Sequence, residues 1–146
     1  MKTRRFLPED RAACLAVFDS NVPGFFRSAE RQAFQAFLED PPGPFLVLED
    51  RAEGIVGCGG IAEEGGGLAS LCWGMVKSSR HGQGLGRRML EARLDLMRRD
   101  PGIGTVRLET LPQTVGFFEK SGFQVASRER DGYAPGVDRV VLVRGL

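Results

Sequence analysis

The chain has 146 residues, of which 42% are hydrophobic and 27% charged, a balance that predicts one packed domain over residues 1–146. Twenty basic residues against nineteen acidic ones leave a net charge of +1, so we expect no overall field that would attract nucleic acid or an anionic membrane. One histidine and three scattered cysteines argue against a structural zinc site and a disulfide framework, and the lack of a long apolar run or signal-like start predicts a cytoplasmic protein.

Two helices are predicted in the first third of the chain, after a short strand at residues 4–7. The first is expected to open at Pro8, because proline and the acidic residues behind it favour a helix N-terminus, and to end at Asn21. The second is expected to begin at about Ser28, as its N-cap, and to run until a proline-rich stop. The link between them, Val22–Phe26, is either a lid over an acceptor site or an aromatic cap on the core.

Three short apolar runs follow, at Phe45–Leu48, Gly54–Ile61 and Leu68–Val76. The loops between them are too short for crossover connections, so we predict consecutive antiparallel strands. Glycines weaken the second run as a plain strand and predict a bulge or the close approach of another group. Some strand glycines are also expected to leave room for substrate. These are Gly57, Gly59, Gly60 and Gly74.

A polar loop after Val76 leads into a cluster of three glycines and a helix that is predicted to run to about Asp100. The apolar face of this helix consists of Leu85, Met89, Leu90, Leu94 and Met97. The remaining predicted elements are a strand at 105–109, a short helix at 114–121 closed by Gly122, and last strands at 123–125 and 137–143 around a turn at 131–136.

The glycine cluster Gly82-x-Gly84-x-Gly86 stands where this helix begins. Glycines at a helix N-terminus expose several unpaired backbone N–H groups, and without Cβ atoms they let an anion come into contact with those groups. The helix dipole adds about 0.3–1 kcal/mol per negative charge at this end. A phosphate or pyrophosphate is therefore the expected ligand.

Three phosphate-binding motifs place glycines in such a setting. The nucleoside-triphosphate loop requires a lysine directly after the glycines, and none is present. The dinucleotide motif G-x-G-x-x-G requires a glycine where Arg87 stands. The third motif, [QR]-x-x-G-x-[GA] after a strand that ends in valine, is the pyrophosphate loop of acyl-CoA N-acyltransferases, and His81–Gly86 follows Val76 at that spacing. A nucleotide-phosphate binder that uses the same loop stays open as a rival.

Over essentially its whole length the chain resembles the GNAT superfamily of acyl-CoA N-acyltransferases. A second segment, Phe117–Phe123 with the sequence FFEKSGF, is similar to the family's F-Y-E-K-x-G-F motif. The resemblance implies an α/β (α+β) fold with a mixed, mostly antiparallel sheet of about seven strands and about four helices, splayed between the fourth and fifth strands. It also implies an acetyl-CoA-dependent N-acetyltransferase that modifies a small-molecule or peptide amine by direct transfer. A homodimer is compatible with it.

Acetyl-CoA is the co-substrate that the resemblance implies, with no metal. The backbone of Met75 and Val76 would pair with the pantetheine arm, and the N–H groups of Gly82–Arg87 would hold the pyrophosphate. Charge would come from Arg80, Arg87 or Arg88. The cofactor-binding residues that the resemblance implies are Met75, Val76, His81, Gly82, Gln83, Gly84, Leu85, Gly86, Arg87, Phe117 and Phe118.

Three positions depart from the family pattern. His81 stands where glutamine or arginine is usual, although an imidazole can still hydrogen-bond a phosphate. Phe118 replaces the tyrosine that often serves as general acid, so that role is not transferable. Ser70 occupies the position at which some relatives carry a base, and a serine can position water but cannot be that base. The alternative function is therefore a catalytically silent acyl-CoA-binding module of the same fold. Phe118 and Ser70 are the residues that suggest it.

Acetyl transfer places its harder demand on the amine, which at a pKa near ~10 is mostly protonated at neutral pH and must lose a proton before it attacks. Glu109, at the end of the strand after the glycine-loop helix, is the first candidate base, with a solvated ion-pair partner as the other interpretation. Tyr133, the only tyrosine, is expected in the turn between the last strands, as an acid or as a wall of the substrate site. Glu63 and Glu64 are expected to be solvated.

Overall fold

A sheet of seven strands forms the centre of the computed structural model, which describes all residues from Met1 to Leu146. The strands are β1 (Lys2–Arg5), β2 (Phe45–Asp50), β3 (Gly54–Gly65), β4 (Leu68–Val76), β5 (Thr105–Thr110), β6 (Gln124–Ala134) and β7 (Val137–Gly145). The helices are α1 (Arg11–Ser20), α2 (Arg31–Glu39), α3 (Leu85–Arg98) and α4 (Val115–Glu119). Short 3-10 turns lie at Pro8–Asp10, Ser28–Glu30, Ser78–Arg80 and Pro112–Thr114.

The strand order is β1-β2-β3-β4-β5-β7-β6, and every neighbouring pair is antiparallel except β4 and β5, which are parallel. This mixed, mostly antiparallel sheet with four helices confirms the predicted fold class. The predicted hairpin succession of β2, β3 and β4 is also confirmed, because the connections between them are too short to cross the sheet.

The sheet opens between its two parallel strands. β4 and β5 are paired only from Leu68 with Thr105 to Ser70 with Arg107. Beyond Ser70 the two strands diverge, and the rest of β4, as far as Val76, has no strand partner on that side. The result is a V-shaped cleft, which confirms the predicted splay between the fourth and fifth strands.

Side chains that alternate along the strands build a core on each face of the sheet. In β2, Phe45 and Val47 pack with apolar residues of α1 and α2, whereas Leu46 and Leu48 pack with Leu85 and Met89 of α3. A larger cluster joins α3 to the strands on either side of the splay. None of the helices has the length and apolar character that crossing a bilayer requires.

Three predicted boundaries are wrong. The first strand, predicted at residues 4–7, is Lys2–Arg5. Ser28 lies in a 3-10 turn and is not the N-cap of the second helix; instead the backbone N–H of Arg27 donates to Glu30 at 2.9 Å. The predicted turn at 131–136 shrinks to two residues, since β6 continues to Ala134 and pairs there with Val137. The aspartate and glycine in that stretch produce an irregularity within the strand. Tyr133 therefore lies on a strand.

Candidate functional site

A cavity of about 960 Å³ occupies the cleft between β4 and β5. It extends from the loop before α3, along the unpaired part of β4, to Tyr133 on β6, and the segment between α1 and α2 forms one of its walls. This volume is at the upper end of the ~300–1,000 Å³ range of ligand pockets. We name residues 81–87 the glycine end of the cavity. The acidic end is the part lined by Glu30, Glu64, Ser70, Glu109 and Tyr133.

The glycine end presents backbone to the cavity. Gly82 and Gly84 have φ angles of 76° and 79°, in the left-handed region that favours glycine, and a Cβ atom on either would meet no atom within 4 Å. The first bond of α3 runs from the N–H of Arg88 to the carbonyl of Gly84 at 3.1 Å. The N–H groups of Leu85–Arg87 therefore have no partner within the helix and are available to an anion.

Of the three arginines near this helix start, Arg87 alone is free. Arg80 donates to Glu53 at 2.9 Å, and Arg88 donates to the backbone carbonyl of Met1 at 2.9 Å. Arg87 is exposed, lines the cavity and makes no ion pair. The sequence names all three as possible sources of charge, and the structure leaves Arg87 as the one whose guanidinium is uncommitted.

The end of β4 offers backbone groups to the cleft. The N–H of Lys77 donates to the carbonyl of Val56 at 2.7 Å, so by the alternation of an antiparallel ladder the polar groups of Val76 point away from β3. The Val76 carbonyl accepts Asn21 Nδ2 at 2.9 Å and His81 Nε2 at 2.8 Å. Because a carbonyl can only accept, Nε2 of His81 carries the proton in this contact.

A β-bulge interrupts β4 at the middle of the cavity. Gly59 of β3 faces two residues of β4, Trp73 and Gly74, so the extra residue here lies on β4. The bulge that the sequence predicts for the glycine-rich run lies on β3 where it pairs with β2, between Ile55 and Gly57. Trp73 has a φ of 49°, which is rare for a bulky residue. Its ring is held by Phe26 at a centroid distance of 6.0 Å and by Phe34 at 4.9 Å. The bulge leaves a backbone N–H without a ladder partner at this place.

Arg93 of α3 is buried beneath the bulge, with 4% of its surface exposed. Burial lowers its pKa to about 10, and its guanidinium donates to the carbonyl of Gly60 at 3.3 Å. A Cβ atom on Gly59 or Gly74 would lie 2.8 or 2.7 Å from this guanidinium. The expectation that strand glycines leave room for substrate is therefore wrong: Arg93 fills two of the spaces, and other protein atoms fill those at Gly57 and Gly60.

At the acidic end, Tyr133 presents a phenol to the cavity. Burial, followed by the nearby carboxylates of Glu109 and Glu30, raises the pKa of Tyr133 to about 12. The guanidinium of Arg27 lies 4.8 Å from the centre of its ring. Tyr133 is therefore a neutral hydrogen-bond donor over the physiological pH range.

The predicted base Glu109 lines the cavity, but Arg107 donates to its Oε1 at 2.9 Å. Glu64 is exposed, as the sequence predicts, and lines the cavity as well. Its Oε1 accepts the hydroxyl of Ser70 at 2.8 Å, and Ser70 is 7% exposed. Nowhere in the chain do three histidine, cysteine, aspartate or glutamate side chains converge as metal ligands would.

The segment between α1 and α2 crosses the cleft. Gln113 Nε2, on the β5 side, donates to the carbonyl of Gly24 at 3.0 Å, and the ring of Phe25 meets His81 edge-on at 5.1 Å. Phe26 stacks on Phe18 in the core at 5.0 Å. Phe26 thus caps the core, as one of the two interpretations has it, while Phe25 is the ring that covers the cleft.

Both phenylalanines of the second motif line the cavity. Phe117 is 40% exposed, and its ring lies 3.4 Å from where a Cβ atom of Gly86 would be, which is ordinary van der Waals contact. Phe118 packs against the core and meets Phe123 at 5.8 Å. Neither ring carries a group that could transfer a proton.

Comparison with known proteins finds one matching family and many solved structures with the same fold. The family described as "Acetyltransferase (GNAT) family" matches residues 13–123. A GNAT-family protein from Desulfovibrio desulfuricans is 24% identical over 99% of this chain and 98% of its own, with a TM-score of 0.82. YncA of Salmonella typhimurium, solved with its cofactor acetyl-CoA, is 18% identical over 100% and 94%, with a TM-score of 0.79. The ribosomal-protein-S18-alanine N-acetyltransferase of Escherichia coli is 19% identical over 99% and 92%, with a TM-score of 0.82. The sequence has no match among curated proteins.

Proposed function

The chain belongs to the acetyltransferase (GNAT) family, and we propose that it is an acetyl-CoA-dependent N-acetyltransferase that moves an acetyl group directly to a primary amine. What carries this proposal is one cavity that joins an anion-binding helix start to a group of carboxylates. The first suits a pyrophosphate, and the second attracts a protonated amine. All strands belong to one sheet, which supports a single N-acetyltransferase domain over residues 1–146.

The glycine end fits the CoA part of the co-substrate. The free N–H groups of Leu85–Arg87 and the uncommitted guanidinium of Arg87 would bind the pyrophosphate, since both prefer negative charge. The outward-facing backbone of Val76 would pair with the pantetheine arm as an added strand would. Because its carbonyl already holds Asn21 and His81, the Val76 N–H is the group left for that arm. The exposed ring of Phe117 would cover the chain from the other side of the cleft.

The reaction then asks for three things in the middle and at the acidic end of the cavity. The amine must lose a proton, the tetrahedral intermediate needs a hydrogen-bond donor for its oxygen, and the thiolate of CoA must leave. The N–H freed by the bulge at Trp73 and Gly74 is the donor best placed along β4 for the oxygen. A thiol with a pKa near ~8.5 leaves readily as its thiolate, so a hydrogen bond from the neutral phenol of Tyr133 suffices and the missing hydroxyl at Phe118 costs little.

Binding and turnover together test the proposal. Calorimetric titration should detect acetyl-CoA binding that ATP does not match. Thiol release from acetyl-CoA should then depend on the amine when spermidine, tyramine and a peptide that begins with alanine are offered in turn. The peptide is included because one structural relative is an alanine N-acetyltransferase.

Two other functions predict different results in the same experiment. A catalytically silent acyl-CoA-binding module, which the absence of a hydroxyl at Phe118 favours, would bind acetyl-CoA and release no thiol with any amine. A nucleotide-phosphate binder would not bind acetyl-CoA better than ATP, because the helix start at Gly84 would hold the phosphates of either ligand and nothing would recognise the pantetheine arm.

A further inference from the structure

Two of the three carboxylates at the acidic end are already neutralised by arginines. Oε1 of Glu30 lies 2.6 Å from Arg27 Nη2, and Oε1 of Glu109 lies 2.9 Å from Arg107 Nη2. In each pair the guanidinium occupies a carboxylate oxygen that an ammonium group would otherwise approach.

The third carboxylate, that of Glu64, has a different environment. No lysine or arginine nitrogen lies within 4 Å of it, and the hydroxyl of Ser70 is its hydrogen-bond donor, at 2.8 Å. The pairing of β3 and β4 is irregular directly after Glu63, which pairs with Ala69, and this irregularity lets the next side chain reach across to Ser70. Ser70 is also the last β4 residue that pairs with β5, so the carboxylate stands at the apex of the splay.

The other charged and titratable groups of this part of the cavity do not compete for the role. They come from the α1–α2 segment, from β4, β5 and β6, and from α3: Arg27, Glu30, Cys72, Arg107, Glu109, Tyr133 and Arg93. Burial raises the pKa of Cys72 to about 11 and that of Tyr133 to about 12, so both stay neutral near neutral pH. The buried Arg93 keeps its charge and has no carboxylate partner. Glu64 is thus the one carboxylate of the lining that no cation occupies.

We propose that Glu64, held in place by the hydroxyl of Ser70, is the proton acceptor for the amine; this assignment rests on the proposed acetyl transfer. The ammonium gives one proton to the Glu64 carboxylate and becomes a free amine. The amine nitrogen then forms a bond to the acetyl carbon, which gives the tetrahedral intermediate. When this intermediate collapses, the bond from carbon to sulfur breaks and a second proton of the nitrogen passes to the thiolate. Glu64 finally loses its proton to water.

The variant Glu64→Gln tests this assignment, because an amide of nearly the same shape can still accept from Ser70 but cannot take a proton. With spermidine, tyramine and the alanine peptide in parallel, kcat near neutral pH should fall by about 100-fold or more. The loss should shrink as the pH approaches the pKa of the amine, since a free amine needs no proton acceptor. The affinity for acetyl-CoA should not change.

Two further variants separate the role of Glu64 from a general effect of charge or packing. Glu63→Gln removes the same charge from the adjacent exposed residue, which does not line the cavity, and should keep the wild-type pH profile. Ser70→Ala should lower kcat by about tenfold, because the carboxylate loses the hydrogen bond that positions it. A merely structural role of Glu64 would give a loss of the same size at every pH.

Three results would overturn the assignment: a wild-type profile in Glu64→Gln, a loss in that variant that persists at alkaline pH, or the pH-dependent loss appearing in Glu109→Gln instead. Each of these presupposes a wild-type protein that turns over. A wild type that binds acetyl-CoA and releases no thiol with any of the three amines would refute the proposed function itself, and the role of Glu64 would fall with it.

Discussion

The two ends of the cavity differ in the groups that line them: backbone at the glycine end and side chains at the acidic end. The glycine end is backbone from one stretch of chain, residues 81–87, shaped by left-handed glycines at a helix start. The acidic end is made of side chains from the α1–α2 segment, β3, β4, β5 and β6, which are far apart in the sequence. The glycine end thus comes from one short segment of the chain, whereas the acidic end forms only when distant segments come together in the fold.

This difference has a consequence for how such a protein can change. Every residue except proline supplies the same backbone N–H, so the glycine end depends on a few glycines and little else, and it suits a group that all acyl-CoA molecules share. The acidic end depends on the identity of each side chain, so a single substitution such as one at Tyr133 can alter it without disturbing the helix start. On the proposed function, co-substrate binding and amine selection can therefore vary independently.

The largest effect is expected from a charge placed at the glycine end. Gly84→Asp puts a carboxylate where we place the pyrophosphate, so the Kd for acetyl-CoA should rise by more than about 100-fold. Gly84→Asn is the matched control: both side chains tolerate the φ of 79°, no atom lies within 4 Å to clash, and only aspartate is charged. Calorimetric titration measures both, and an unchanged Kd in the aspartate variant would contradict the placement of the anion.

A smaller effect, on stability, is expected from the wall that the two ends share. Gly59→Ala would bring a methyl group to 2.8 Å from the buried guanidinium of Arg93, which can only move into the cavity. We expect the free energy of unfolding to fall by about 1–3 kcal/mol, as for other overpacked cores. Gly104→Ala, where a Cβ atom meets nothing within 4 Å, is the control. Equal urea midpoints for both variants would show that Arg93 is not tightly packed.

The smallest effect is expected at the acidic end, from Tyr133→Phe. Removal of the hydroxyl takes away the hydrogen bond that we propose to the leaving group and should lower kcat by about tenfold or less, with no change in acetyl-CoA affinity. Because the pKa of Tyr133 is raised to about 12, the phenol of the wild type stays neutral below pH 10, and the pH profile of kcat should have the same shape in the variant. A lost ionisation in the variant would contradict the role of Tyr133 as a neutral donor.

The sequence predicted the glycines at the helix start and the hairpin succession of β2, β3 and β4 well because both depend on local signals. Each of these features can be recognised within about ten residues of sequence: the glycines at the helix start, the short hairpin loops and the glycine-rich strand. The unexpected features are long-range. Arg93 was overlooked as a core residue, although it follows Leu85 and Met89 at four-residue spacing and precedes Met97 by four, so its place in the buried stripe was visible in the periodicity.

Glu64 is a residue whose environment the sequence pattern did not predict. The glycine-rich turn after it predicts a hairpin, and a hairpin brings Glu64 near Ser70, but which side chains face each other depends on a register irregularity that no local pattern announces. Likewise Tyr133 stands in a segment with every signal of a turn, and its pairing with β7 makes the segment a strand. In both places the pairing of two consecutive strands, and not local residue preference, decided where the side chain lies.

The sequence alone therefore determined the order of elements, the family and the glycine-rich start of α3, since each depends on neighbouring residues. The tertiary structure decided which arginine at that start is free, what fills the space beside the strand glycines, and which carboxylate at the acidic end lacks a cation. These depend on distances between segments that only the packed sheet and helices bring together. How readily a charged side chain binds a proton or a ligand depends on the groups that surround it in space. Those groups come from distant parts of the sequence and are brought together only when the chain folds.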